Sequence, residues 1–269
     1  MAIHPTAIID PSAQLDDSVD VGPYCVIDAD VRVAAGCRLY QGVYLTGWTE
    51  IGEGCELHPG VIVGHAPQDT KYGGERSYCR VGAGTIIREY VTIHRGTIPE
   101  SETVVGERCF LLAGAHVGHN CRVGNDVTLI NSVLLGGHGQ IDDRVTIGGG
   151  AAVHQFARIG TLAMIPGNGR VVQDVLPYAM MDTQGRVAGL NRVGLRRAGM
   201  SREHVQQVRE AYRLLFGRGL PLSEAIDRLA QEPSTPPRRV LTSFLQARSQ
   251  RGLAGRARRH APTMEQPVE

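Results

Sequence analysis

The chain reads as an all-β, left-handed parallel β-helix, a hexapeptide-repeat solenoid, followed by a small C-terminal α-helical domain. Three observations predict this. From Ile3 to Val171 every sixth residue is aliphatic except Asp69, Glu75 and Pro99, all in one register. Neither the 3.6 period of a helix nor the 2 period of a half-buried strand gives that spacing, whereas stacked hexads do. The fifth hexad position is almost always small, as at Ala7, Cys25, Val43, Cys55, Cys109, Ala115 and Cys121. From Asn191 the pattern changes to that of amphipathic helices.

Residues 1–177 make the solenoid. Three hexads form one triangular coil of 18 residues, with long aliphatics inside and small residues in the corners. Successive coils are expected about 4.8 Å apart, as neighbouring strands are. Glycine and aspartate recur at the second hexad position (Gly22, Gly52, Gly82, Gly118, Gly148), where the chain is expected to turn. Two insertions, 69–80 and 99–104, leave the register intact and are predicted to project as loops, places where binding sites are often built. The first follows Gln68 and carries Asp69 and Lys71, the only lysine of the chain.

Residues 178–190 read as a connecting loop and 191–253 as the helical domain. Ser201 is a suitable N-cap, and Val205, Val208, Tyr212 and Leu215 then share one face, up to Gly217 and Gly219. Further helices are predicted over Ser223–Ala230 and from Pro237 to about Ser249. These helices would cover the open backbone edges of the last coil. Residues 254–269 are expected to form a disordered tail.

With 269 residues and 42% hydrophobic content, the chain can bury a large core. No apolar run approaches a membrane span and no signal peptide is evident, so the expected location is the cytoplasm. All six cysteines occupy the fifth hexad position and none forms a CxxC pair, which fits small buried residues better than disulfides or zinc ligands. Residues 1–185 carry 12 basic and 20 acidic side chains, a balance of −8, whereas residues 186–269 carry 16 and 7, a balance of +9. A basic C-terminal module suggests an acidic partner. Aromatic residues are sparse and no nucleic-acid-binding motif is present.

Histidines carry the sharpest chemical signal. His94, His116, His119, His138 and His154 fall within a few coils. A coil of 18 residues stacks His119 against Gly137 and puts His138 one residue over. His116 and His119 avoid the two inward positions, so an outward ridge of imidazoles is available for general base catalysis. Beside that base, Gly137 would let a substrate approach the backbone, where its N–H could meet a developing oxyanion.

These residues resemble the UDP-N-acetylglucosamine O-acyltransferases over roughly residues 2–253. The resemblance rests on Gln68-Asp69-x-Lys71-Tyr72, Val91-Thr92-Ile93-His94-Arg95-Gly96, Gly114-Ala115-His116-Val117-Gly118-His119-Asn120-Cys121, Gly136-Gly137-His138, Ala152-Val153-His154-Gln155-Phe156 and Val172-Gln173-Asp174-Val175-x-Pro177-Tyr178. It implies transfer of a 3-hydroxyacyl group from acyl carrier protein to the 3-hydroxyl of UDP-N-acetylglucosamine, the first step of lipid A synthesis. His119 would be the general base and Gly137 would supply the oxyanion N–H. Asp69, Lys71, His116, His138 and Gln155 would contact or orient the sugar nucleotide, with Asn191 and Arg197 on its ribose and phosphates. Met164 and Gly167 would belong to the acyl-chain pocket.

The resemblance also implies a homotrimer with sites between subunits and an acyl carrier protein docked on Arg202, Arg209 and Arg213. It implies no metal, and no cofactor beyond the phosphopantetheine that carries the donor. Three features depart from the family pattern. Asn120 stands where Asp often follows the base, Val193 and Ala198 replace a carboxylate and an arginine, and Asp182–Leu190 is shorter and more charged. The alternatives are an N-acyltransferase on a UDP-amino-sugar analogue and a small-acyl transferase. More remote are a zinc β-helix carbonic anhydrase, whose later histidine pair is more widely spaced than His116 and His119, and a non-enzymatic trimeric scaffold.

Overall fold

The structure, a computed structural model, describes residues 2–217 and 220–257. It is the expected parallel β-helix. Strands, most of them two residues long, stack into three sheets of 11, 9 and 8 strands. Ala2 pairs with Asp20, Ile8 with Val26 and Gln14 with Arg32, so one coil takes 18 residues. The inner aliphatics form continuous columns: Ile27, Leu45, Val63, Ile93, Val117 and Leu135 are each at most 1% exposed.

The turn chemistry differs from expectation. Backbone with positive φ occurs at the fourth hexad position, as at Asn120 (58°), His138 (60°) and Phe156 (65°), not at the second. Second-position glycines answer a different demand. A Cβ on Gly52 would lie 2.7 Å from Ala83 N, and one on Gly118 2.7 Å from Leu135 O, so these glycines let adjacent coils approach. The six cysteines are buried and free. Burial pushes the Cys79 and Cys121 thiols up to about 12, which keeps them protonated and unreactive.

The chain leaves the solenoid after Ile62–His65 and returns at Tyr78–Val81, then leaves again after Thr92–His94 and returns at Glu102–Val105. The projecting segments are therefore 66–77 and 95–101, not 69–80 and 99–104. Tyr78 and Arg80 already pair with Trp48 and Glu50, because the strand starts before its inward aliphatic residue.

The connecting loop at 178–190 is instead a β-hairpin. Ala179–Met181 continues the eleven-stranded sheet through Met164↔Met180, and Val187–Leu190 adds an antiparallel strand. Four helices follow among the described residues: α1 (Arg192–Arg197), α2 (Arg202–Phe216), α3 (Leu222–Gln231) and α4 (Pro236–Gln246). The sequence pattern had not revealed α1. Ser201 Oγ accepts the His204 N–H at 3.1 Å and so caps α2, which buries Val208, Tyr212 and Leu215. Gly217 is its C-cap, while Gly219 lies outside the described residues.

The start of the expected tail is ordered. Leu253 bridges Asp174, Arg256 bridges Val187, and Ala254 is 1% exposed, so residues 253–257 close the last coil. Residues 258–269 of that tail lie outside the described residues. A buried clasp fixes α4 to the solenoid. Arg158 Nε donates to Asp174 Oδ2 at 2.7 Å, its Nη1 donates to Phe244 O at 3.1 Å, and its guanidinium lies 4.3 Å from the Phe244 ring centre. No helix among the described residues is long and apolar enough to cross a membrane.

Candidate active site

The outer face of the nine-stranded sheet carries Thr92, His116, Leu134 and Ala152 in register. The corner that follows it places His119 over Gly137. A Cβ on Gly137 would lie 2.4 Å from both Nε2 and Cε1 of His119, so only glycine admits the imidazole in this position. The Gly137 N–H donates to no acceptor among the described residues. His138 N–H donates to His119 O at 2.9 Å, tying the two coils together at this point.

Aromatic contacts fix the neighbouring rings. His138 meets His119 edge-on with ring centres 5.2 Å apart, and stacks on Phe156 at 4.6 Å. His116 Nδ1 is 2.8 Å from Thr92 Oγ1, and His116 meets His94 edge-on at 4.9 Å. Burial, reinforced by His116, His65, His119 and Arg95, pushes His94 down to about 4. Burial and His119 also lower His116 and His138, with Asp69 partly opposing the shift at His138. These three rings are therefore neutral at pH 7.

His119 Nδ1 lies 3.0 Å from Asn120 Oδ1. An amide oxygen only accepts, so Nδ1 carries the proton and Nε2 keeps a lone pair over Gly137. An imidazole in this tautomer can take a proton from a hydroxyl in the cleft while the adjacent backbone N–H faces a carbonyl oxygen. The cleft has a volume of about 620 Å³ and is also lined by Gln68, His116, His154 and Gln155.

The first projecting segment, 66–77, brings Gln68 to the cleft and Asp69 close enough to act on His138. Arg95 braces it, donating from Nε and Nη2 to Tyr72 OH at 3.1 and 2.9 Å and from Nη1 to Gly64 O at 2.7 Å. Asp69 Oδ1 accepts the Lys71 N–H at 3.0 Å, and the Lys71 side chain is exposed. His119, Gly137, His116, His138, Asp69 and Gln155 thus come together within one chain.

The other expected site residues lie elsewhere on the chain. Met164 belongs to the eleven-stranded sheet, and Gly167 to the corner entering the nine-stranded sheet, across a face from His119. Asn191 is 6% exposed, and its amide donates to Leu162 O at 2.9 Å and accepts the Gly194 N–H at 2.9 Å. The oxygen thus caps α1 while the amide nitrogen ties the start of that helix to the solenoid. Gly194 matches this role, since a Cβ there would lie 2.2 Å from Asn191 Nδ2. Arg197 is exposed in the last turn of α1. Arg209 and Arg213 line a groove with Arg192 and Arg256, while Arg202 sits outside it in the first turn of α2.

Comparison with known proteins places this architecture. Residues 174–254 match the family model described as UDP N-acetylglucosamine O-acyltransferase, domain 2. An acyl-[acyl-carrier-protein]--UDP-N-acetylglucosamine O-acyltransferase of Thermodesulfovibrio yellowstonii is 43% identical, across 93% of this chain and 98% of the relative. One of the same name from Rhizobium johnstonii is 39% identical, across 95% of each chain. The chain belongs to the UDP-N-acetylglucosamine O-acyltransferase family. The solved structure of LpxA from Acinetobacter baumannii superposes with a TM-score of 0.90 at 38% identity, covering 94% of this chain and all of that one.

Sequence reasoning gave no individual role to Gln68, Thr92 and Phe156, and counted His154 only among the clustered histidines, yet all four shape this acyltransferase-family site. Phe156 was within reach, since Asn120, His138 and Phe156 are successive fourth positions one coil apart. Among the described residues no three His, Cys, Asp or Glu side chains converge as a metal site.

Proposed function

We propose that this chain transfers a 3-hydroxyacyl group from acyl carrier protein to the 3-hydroxyl of UDP-N-acetylglucosamine, in the cytoplasm, as the first step of lipid A biosynthesis. The observation that carries this reading is the His119 imidazole over Gly137, with its proton held on Nδ1 by Asn120. His119 Nε2 takes the hydroxyl proton as the sugar oxygen attacks the thioester carbonyl. The carbonyl oxygen becomes an oxyanion facing the Gly137 N–H. Collapse breaks the C–S bond, and the imidazolium returns its proton to the departing thiolate. Neutral His116 and His138 serve as hydrogen-bonding partners of the sugar, and Asp69, Lys71 and Gln155 hold the nucleotide sugar in place.

The working unit on this reading is a homotrimer. Support comes from the contrast between outer faces. The eight-stranded sheet bears an ion-pair ladder, Glu50–Arg80–Glu102–Arg122, suited to water. The nine- and eleven-stranded sheets instead expose Leu134 (51%) and Phe110 (37%). Packing the nine-stranded face of one protomer on the eleven-stranded face of the next would bring a second protomer's Met164, Gly167 and Arg197 towards His119. The acidic carrier protein docks on Arg202, Arg209 and Arg213, and Asn191 contributes by holding α1 rather than by touching ligand.

The test is transfer from 3-hydroxyacyl-acyl carrier protein to UDP-N-acetylglucosamine, with the 3-amino analogue alongside. Efficient transfer to the hydroxyl acceptor is expected. Transfer only to the amino analogue would make this an N-acyltransferase, and transfer to neither would overturn the reading.

A further inference from the structure

The second projecting segment, 95–101, reaches the catalytic corner through one residue. Thr97 is 8% exposed, and both its N–H and its Oγ1 donate to Asn120 Oδ1, at 3.1 and 2.9 Å. A backbone N–H cannot accept, so the Asn120 atom facing it must be the oxygen. The same oxygen lies 3.0 Å from His119 Nδ1. If the Asn120 amide were turned over, its NH2 would face the Thr97 N–H, which cannot accept, would reverse the bond to the Thr97 hydroxyl and would also demand a lone pair on Nδ1. Nε2 would then carry the proton, and His119 could accept nothing from a substrate.

The segment is built to hold Thr97 still. Ser77 Oγ donates to Gly96 O at 2.7 Å, Gly96 N–H to Tyr78 O at 3.3 Å, and Ser101 Oγ to Ile98 O at 2.7 Å. A Cβ on Gly96 would lie 2.3 Å from Ser101 Oγ, so glycine is required for this tight return. Asn120 is fixed from its other side, its N–H donating to Thr103 Oγ1 at 2.7 Å. A carboxylate in place of Asn120 would present oxygens whichever way it turned. An amide has a wrong orientation, and that orientation has to be excluded.

We propose that Thr97 is a positioning residue that locks the Asn120 amide and thereby holds His119 in the Nδ1–H tautomer that leaves Nε2 free. This deepens the acyl-transfer reading and rests on His119 being its base. The projecting segment 95–101 then has a catalytic consequence: it supplies orientation that an amide neighbour cannot provide alone.

The test pairs kinetics with 15N NMR of histidine-labelled full-length protein, the His119 signals being assigned with His119→Gln. In the unaltered protein His119 is expected in the Nδ1–H form. Thr97→Val keeps shape and the backbone donor but removes the hydroxyl. It should lower kcat about five- to tenfold, leave the KM for UDP-N-acetylglucosamine near its starting value, and raise the Nε2–H population. Thr97→Ser should restore both readouts, which a purely structural role for the side chain would not explain. An Nε2–H tautomer in the unaltered protein, or Thr97→Val with unchanged kcat and tautomer, would overturn the proposal. The base assignment fails separately, if His119→Ala keeps its turnover whatever Thr97 does.

Discussion

Two polar networks in this molecule use similar hydrogen bonds for opposite ends. At the catalytic corner, His119 and Asn120 sit at an open cleft, and the Nε2 lone pair is left without a partner among the described residues so that a substrate can use it. At the end of the solenoid, Arg158 and Asp174 are buried and satisfied on nearly every side by Phe244 O, the Arg158 N–H and each other. The first network gives up a stabilising contact for reactivity. The second makes one cooperative joint between repeat and helices. Disturbing the first should therefore cost rate with little loss of fold, and disturbing the second the reverse.

Gly137→Ala probes the first network most severely. Its methyl would occupy space now held by His119 Nε2 and Cε1, displacing the ring and crowding the oxyanion site together. A misplacement of that size should lower kcat about 10²-fold, while the melting temperature changes little because the ring can swing outward. Loss of cooperative melting with retained rate would break the comparison.

Asp174→Ala should show the reverse. It strands the Arg158 guanidinium in a buried site and removes the acceptor of the Arg158 N–H. Removing one partner of a buried pair costs about 3–5 kcal/mol. Denaturant unfolding should show that loss, with the helical domain detaching before the solenoid melts, while turnover of the protein that remains folded is largely kept.

The smallest expected effect sharpens the boundary between the two regions. His94 is 5% exposed, its Nδ1 has no partner among the described residues, and it is held down to about 4 against an ordinary value of 6.5. The unfolded chain thus binds a proton more readily than the folded one between those values. The contribution of His94 is fully present above pH 6.5 and is lost as the pH falls towards 4. It amounts to on the order of 2–3 kcal/mol. Unfolding free energies measured from pH 7 to 4.5 should fall accordingly, and His94→Gln should flatten that part of the curve. An unchanged slope in the variant would show that burial of this ring is not what the pH dependence reports.

The same contrast explains what was legible in the sequence. Every coil imposes the same demands, so the aliphatic column from Ile3 to Val171, the small corners and the stacking of His119 on Gly137 all follow from counting. Counting fails where the repeat stops. The hairpin at Ala179–Leu190, the short α1 and the return of residues 253–257 answer to the open edge of the last coil, a need with no period. Thr97 was invisible for the same reason, since an inserted segment has no register from which to place its side chains. Second-position glycines do open turns, Ala151 N–H donating to Gly148 O at 3.1 Å, but why glycine is needed there was not legible. Composition marks that glycine is needed, but not whether the need is a positive φ or a close neighbouring coil. The capping role of Asn191 was not legible, because a polar residue ahead of a helix can serve a ligand or a cap, and only the distances to Leu162 O and Gly194 N show the cap.

The most direct test of the central claim is turnover of His119→Ala with 3-hydroxyacyl-acyl carrier protein and UDP-N-acetylglucosamine, measured beside its thermal melt. Loss of at least ~10²-fold in kcat with an unchanged melt is the predicted result. A variant that melts normally and keeps most of its turnover would contradict the account.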